Sequence, residues 1–420
     1  MAEETLPPDL PAQPSEAALQ AGDHRRLGRE LDLFTFSDLV GSGLPLWTPR
    51  GTVIRHELDR FVWELRKKYD YGRVAIPHIT KKELYEKSGH WDKFSDELFR
   101  ITAREGREYA MKPMNCPHHI EIFNRKPHSY RAMPQRYAET TVVYRDEQSG
   151  ELGGLTRVLS ITQDDSHVFC RTNQIKEEFN KIWDIVDTFY SKFGFSLRAR
   201  LSFRDMAEPA KYLGTPEIWD RAENELREIA EERGADYFEG PGEAALYGPK
   251  LDFIATNAAG KEWQVATIQL DMNLPERFDL ACTNEEGKRE RIVMIHSAIT
   301  GSLERCIAVL LEHLGGTLPL WLSPVQVAVL PISEKQLAYA SAVHAKLLAV
   351  DIRSELDASS ETLGKRIRTA KQQKVPYTLI VGDEEIKNET ATLEGRSGSK
   401  EALPIQEIIL RLKAEIESRD

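Results

Sequence analysis

The chain has 420 residues, 41% apolar and 29% charged, enough for two domains with full cores. Its net charge of −11 excludes a protein that coats nucleic acid by bulk positive charge, though not local contact. No apolar run approaches the roughly 20 residues of a membrane helix. The acidic, Pro-rich start MAEETLPPDL lacks the basic and apolar parts of a signal peptide, and the scattered Cys116, Cys170, Cys282 and Cys306 fit a reducing, cytoplasmic setting.

Residues 1–22 are rich in Pro, Ala, Gln and Glu without an apolar period and read as a disordered tail. HRRLGRELDLF places Leu27, Leu31 and Phe34 near one helical stripe. From Thr52 to Tyr71, Ile54, Leu58, Phe61, Val62 and Leu65 recur at helical spacing. RVAIPHI follows as a strand-like run, and Pro77, which donates no ladder hydrogen bond, assigns it to an edge or an interface. The runs TTVVYRDE, TRVLSITQDD, EWQVATIQLDM and RIVMIHSAI read as strands of one large, mainly antiparallel sheet. GSLERCIAVLLEHLGG is a helix with Leu303, Ile307, Leu310, Leu311 and Leu314 on one face, stopped by Gly315 and Gly316.

The pattern changes near residue 320. VQVAVLPI is a buried strand, and Ser333 with Gln336 forms a capping box. A strand (DIRSELDA), a basic helix, a strand (PYTLIVG) and a last amphipathic helix complete a β-α-β-α-β order. The fold class expected is therefore α+β: a catalytic domain at 23–320 with a mainly antiparallel sheet flanked by helices, then a C-terminal α/β domain at 321–420.

Several positions can carry chemistry. Strand alternation puts Arg157, Leu159, Ile161, Gln163, Asp165 and His167 on one face, and Arg145 with Glu147 on one face of the preceding strand. A polar face in solvent fits that pattern as well as a ligand site does. Arg305, free of the Leu303 stripe just past a helix N-terminus, suits either a phosphate or a structural ion pair. KRIRTAKQQK (365–374) is either a solvated helix face or a contact for RNA. Cys116, His167 and His296 have no metal-ligand spacing, and each alone reads as a core residue.

Together the strings SGHWDKF, MKPMNCPHH, YRDEQSGELGGLTRV, TQDDSHVFC, YGPKLDF, IQLDM and HSAITGSLER resemble the threonyl-tRNA synthetase family, from about residue 23 to the end. The long helix ending before Pro77, YRDE with its loop, and GSLER match class II motifs 1, 2 and 3. The resemblance implies a homodimeric, cytoplasmic threonine–tRNA ligase that joins threonine, ATP and the threonine tRNA, its C-terminal domain binding the anticodon. It puts Arg145 on the α-phosphate, Arg157 on the far phosphates, Arg305 against adenine and phosphates, and Glu147 near adenine. Ile161, Gln264, Thr267 and Ser302 fall at further ATP positions, and magnesium is expected with the ATP. It makes Cys116, His167 and His296 ligands of one zinc ion that selects threonine, surrounded by Gln163, Asp165, Tyr247 and Gln269. His90 matches a histidine used in transfer to the terminal ribose, and Arg368 and Glu385 match anticodon contacts.

The chain departs from the pattern at His118 for glycine, Ile161 for an aromatic residue and VAT (265–267) for CGT. Ser360 stands for asparagine and Glu394 for a basic residue. With no HxxxH pair and only a short polar start, these 420 residues are expected to lack the family's N-terminal editing domain. A synthetase-like binding protein that has lost the chemistry is the competing class; retention of the arginines and the Cys/His/His set favours the enzyme.

Overall fold

The structure, a computed structural model, describes residue 20 and residues 22–258 and 260–419. The expected tail therefore lies outside the described residues except for Gln20 and Gly22. Two compact units form. One holds Phe36–Pro45 and Asp59–Val309, the other Leu46–Leu58 with the described parts of 16–35 and 310–420.

The first unit is built on an eight-stranded sheet. Its strands are β1 Gly72–Arg73, β2 Gln135–Tyr144, β3 Ser160–Cys170, β4 Leu197–Phe203, β5 Tyr237–Pro241, β6 Lys250–Thr256, β7 Glu262–Asp271 and β8 Val293–Ser302. Their order is β5-β4-β6-β7-β8-β3-β2-β1. The centre is antiparallel, and only the outermost pairs β5/β4 and β2/β1 are parallel. The helices that matter below are α1 Pro49–Lys67, α2 Cys116–Asn124, α3 Ile175–Ser191 and α4 Leu303–Leu314.

One face of the sheet is apolar and covered by α3. Phe179, Ile182, Val186 and Phe189 are buried there, and Trp183 packs edge-on against Phe253 at 5.2 Å. The core sits between this helix and the sheet, as burial of a one-sided apolar stripe requires. The opposite face is closed at one end by a second apolar cluster that includes Tyr137, Phe169 and Met294, and beyond it carries polar side chains; that stretch places the site.

Arg66 of α1 pins the helix to β3. Its Nη2 lies 3.1 Å from Asp164 Oδ2 and also meets the Asp164 carbonyl, with both residues almost wholly buried. Asp164 further accepts from the Ile299 and Thr300 backbone N–H groups at 2.8 and 2.9 Å and from the Thr300 hydroxyl at 2.6 Å. Removing one partner strands a buried charge, so Arg66→Ala is expected to cost about 3–5 kcal/mol. Urea unfolding checks this, and a loss under about 1 kcal/mol would mean the pair sits in effectively solvated surroundings.

Four local readings need correction. The RVAIPHI run is not one strand: Gly72–Arg73 forms the sheet edge, and a separate three-stranded sheet starts at Ile79–Lys81. Pro77, unable to donate, sits in the break. β2 ends at Tyr144, so Arg145 and Glu147 lie in a loop and share no strand face. β3 starts at Ser160 and runs on to Cys170, so the alternation holds for Ile161 to His167 but not for Arg157. In the second unit, β9 Val327–Pro331, β10 Ser354–Leu356 and β11 Tyr377–Val381 match expected strands. A hairpin of β12 Thr390–Gly395 and β13 Lys400–Pro404 extends their sheet, in the order β10-β9-β11-β12-β13. The turn at Ser397–Ser399, with Gly398 at φ +82°, marks it.

Candidate active site

Strand register assembles the site. In an antiparallel pair, directly opposed residues point the same way. One row therefore runs Lys250, Gln269, His296, His167, Tyr137 across β6, β7, β8, β3 and β2. Two residues along on each strand, a second row on the same face runs Asp252, Thr267, Ala298, Asp165, Glu139. Beyond a bulge in β8, Ser302 opposes Gln163. Residues more than a hundred positions apart are neighbours only because of this register.

Cys116 is the first residue of α2 and reaches this face from above. Its sulfur and one ring nitrogen each of His167 and His296 all lie within 4.8 Å of one another, and all three residues are buried. Burial, with Asp165 and Asp271 adding to it, pushes the Cys116 thiol well above its ordinary value. A thiolate at this position calls for a cation beside it. Burial likewise holds His167 well below its ordinary value, hence neutral and able to offer a lone pair. One sulfur and two nitrogens in a closed cluster suit zinc with a coordination position left open. Tyr247 stacks on His296 at 4.6 Å and donates to Gln269 Oε1 at 2.6 Å, while Asn115 Nδ2 donates to Asp165 Oδ2 at 3.0 Å.

At the other end of the face three guanidinium groups converge. Arg157 pairs with Glu147 and Glu151 at 2.6 and 2.8 Å. Arg145 Nε reaches the Pro113 carbonyl at 3.4 Å, and Arg305 Nε the Thr156 carbonyl at 3.1 Å. Desolvation first, then repulsion from Arg145 and Arg157, holds Arg305 below its ordinary pKa. Clustered like charges at the head of α4 form a ready anion site. Ser302 donates to Glu304, whose buried carboxylate takes the Thr162 backbone and hydroxyl, so the α4 head is fixed to β3. Gln264 is held between Arg200 and Asp252 at 2.8 and 2.9 Å.

His90 lies fully buried, close enough to His296 and Arg145 for both to act on it electrostatically. Its Nδ1 is 2.7 Å from Ser88 Oγ, and that hydroxyl donates onward to the Tyr85 carbonyl. Ser88 thus accepts from His90, and the proton is fixed on Nδ1. Burial lowers the His90 pKa to about 3, so the ring is neutral with a bare Nε2.

In the second unit the basic stretch divides. Arg366 of α5 Leu363–Gln372 is buried and donates to the Pro331 and Asp357 carbonyls. Lys371 is paired with the buried Glu394 at 2.7 Å, and Lys400 meets the same carboxylate at 3.3 Å. Arg368 stays exposed and lines a cleft of about 780 Å³ with Glu30, Gly364 and Ile367. Glu385 is occupied by the Gly382 N–H and the Thr392 hydroxyl.

The structure brings in residues the sequence did not single out. Lys250 and Asp252 lie in the two rows, and their ion pair spans 3.2 Å. Asp271 backs His296, and His119 backs His167. The first three were detectable, since 267, 269 and 271 alternate on β7 and YGPKLDF adjoins it. His119 had only its spacing of three from Cys116 on one helix.

Residues 99–314 match the family "tRNA synthetase class II core domain (G, H, P, S and T)", and residues 326–415 match "Anticodon binding domain". Fold and site together define the catalytic core of a class II aminoacyl-tRNA synthetase joined to an anticodon-binding domain. The threonine–tRNA ligase of Porphyromonas gingivalis is 49% identical over 394 residues, covering 92% of this chain and 60% of that protein. That of Gloeobacter violaceus is 47% identical over 407 residues, covering 94% and 65%. A solved structure titled as the RNA binding domain of threonyl-tRNA synthetase from Cryptosporidium parvum is 38% identical with a TM-score of 0.90, covering 94% of this chain and 98% of that one. The chain belongs to the threonyl-tRNA synthetase family. It spans about 60% of the length of the first of these curated relatives.

Proposed function

We propose that the chain is a threonine–tRNA ligase that activates threonine with ATP and transfers it to the 3′ end of the threonine tRNA. The observation that carries this reading is one sheet face with a Cys/His/His cluster at one end and three arginines at the other. An amino acid seated by the first and a triphosphate by the second would meet between them.

Zinc held by Cys116, His167 and His296 would supply a Lewis-acid contact for the amino group and hydroxyl of threonine. Asp165, Gln163, Tyr247 and Gln269 would complete the hydrogen bonds to that substrate. Arg145 would neutralise the α-phosphate as the threonine carboxylate attacks it, and Arg157 and Arg305 the remaining phosphates with magnesium. Glu147, Ile161, Gln264, Thr267 and Ser302 would frame the nucleotide. His90, neutral with a bare Nε2, would take the ribose proton during transfer. Elemental analysis of purified protein should find about one zinc per chain; active protein without zinc would overturn the metal assignment.

The catalytic domain is assigned to 23–320 and anticodon binding to 321–420. Exposed Leu39 and Val40 support pairing with a second copy. No described helix is long and apolar enough to cross a membrane; a cytoplasmic location is part of this reading. Arg368→Ala is expected to weaken tRNA binding by about 1–3 kcal/mol if it reads a base, and adenylate formation should be unchanged. A uniform loss across tRNAs with a shallower salt dependence would instead assign Arg368 to a phosphate.

A further inference from the structure

The two candidate ligand histidines are held from behind in different ways. His296 Nε2 lies 3.0 Å from Asp271 Oδ2. Asp271 is fully buried and accepts from the Asn273 and Leu274 backbone N–H groups at 2.8 and 2.9 Å, which fixes its orientation. His167 has no carboxylate in that place. Its Nδ1 meets Nδ1 of His119 at 2.8 Å, the rings standing edge to face with centroids 4.7 Å apart. Both rings are almost wholly buried.

One of two facing imidazole nitrogens must donate. If His167 gives its Nε2 lone pair to a cation, its Nδ1 carries the hydrogen, so His119 accepts at Nδ1 and is itself protonated on Nε2. That Nε2 faces Glu139 Oε2 at 4.0 Å, and neither atom has a hydrogen-bond partner among the described residues. Glu139 is opposed to Asp165 in the β2/β3 register, so the carboxylate belongs to the same row as a threonine-site residue.

We propose that Glu139 and His119 form a positioning relay that sets the tautomer and orientation of His167 for zinc, the counterpart of Asp271 behind His296. The inference rests on the zinc reading above. Cys116 and His119 are three apart on α2, so a single turn delivers one ligand and the support of another. Supporting groups of this kind are worth about 10–100-fold in metal affinity.

Zinc affinity is measured by competition with a chromophoric chelator for the full chain, His119→Leu, His119→Asn and Glu139→Gln. His119→Leu fills the space without an acceptor and should bind about 10–100-fold more weakly. His119→Asn, whose Oδ1 can take the place of Nδ1, should stay close to the original value, and Glu139→Gln should lose less than His119→Leu. Unchanged affinity in His119→Leu, or equal losses in the Leu and Asn variants, would overturn the relay and leave the zinc reading standing. An unaltered chain that binds no zinc at this cluster would sink the zinc reading itself, and the relay with it. Nitrogen NMR of the zinc-bound unaltered chain needs no variant: His119 should show hydrogen on Nε2 and none on Nδ1, and the reverse would overturn the relay.

Discussion

Alanine at Arg145 is expected to slow threonine-dependent ATP–pyrophosphate exchange by about 10²–10³-fold. Activation concentrates negative charge on the α-phosphate as the threonine carboxylate attacks, and a cation already in place needs no reorganisation. Arg145 makes one long contact to the Pro113 carbonyl, so its loss should leave stability within about 0.5 kcal/mol. Chemistry and folding then separate in one variant, with exchange kinetics measured beside urea unfolding. Lysine should recover only part of the rate, because a point charge does not reproduce the guanidinium fork. A variant exchanging at the original rate would remove Arg145 from the phosphate.

The second large effect concerns which amino acid the site accepts. Valine has the shape of threonine without its hydroxyl, so binding it would forfeit the contacts proposed between that hydroxyl, zinc and Asp165. A site built around a hydroxyl rejects such an analogue by about 10⁴–10⁵-fold. Serine keeps the hydroxyl and lacks one methyl, a difference of only about 10–200-fold. The ratio of kcat/KM for exchange with threonine, serine and valine gives both figures. His167→Ala, which opens the cluster, should abolish most threonine activation while ATP binding persists. A threonine-to-valine ratio below about 10² would mean that the hydroxyl is not read.

Much of this was legible in the residues, and the gaps have physical causes. Alternation along TRVLSITQDDSH put Gln163, Asp165 and His167 on one face, because a strand enforces period two wherever one face is buried. The same rule misled at Arg157 and Arg145. Both flank the strands in a loop of backbone that sequence period does not describe. Cys116, His167 and His296 looked like core residues individually, and they are buried; only the register of β3 with β8 and the start of α2 brings them together. The basic run 365–374 showed its charge but not its partition into buried Arg366, paired Lys371 and exposed Arg368. Partners distant in sequence set that partition: the Pro331 and Asp357 carbonyls for Arg366, and Glu394 of β12 for Lys371. The β12/β13 hairpin was missed because β12 offers only Ala391 and Leu393 as an inward alternation and β13 is short and mostly exposed.

Charging unfractionated tRNA with each of the twenty amino acids in turn, with ATP and magnesium, tests the account most directly. Threonine should be esterified to tRNA far faster than any other amino acid, serine should follow weakly and valine should stay at background. No charging by a protein that is folded and zinc-loaded, or preferential charging with proline, would contradict the assignment of this chain as a threonine–tRNA ligase.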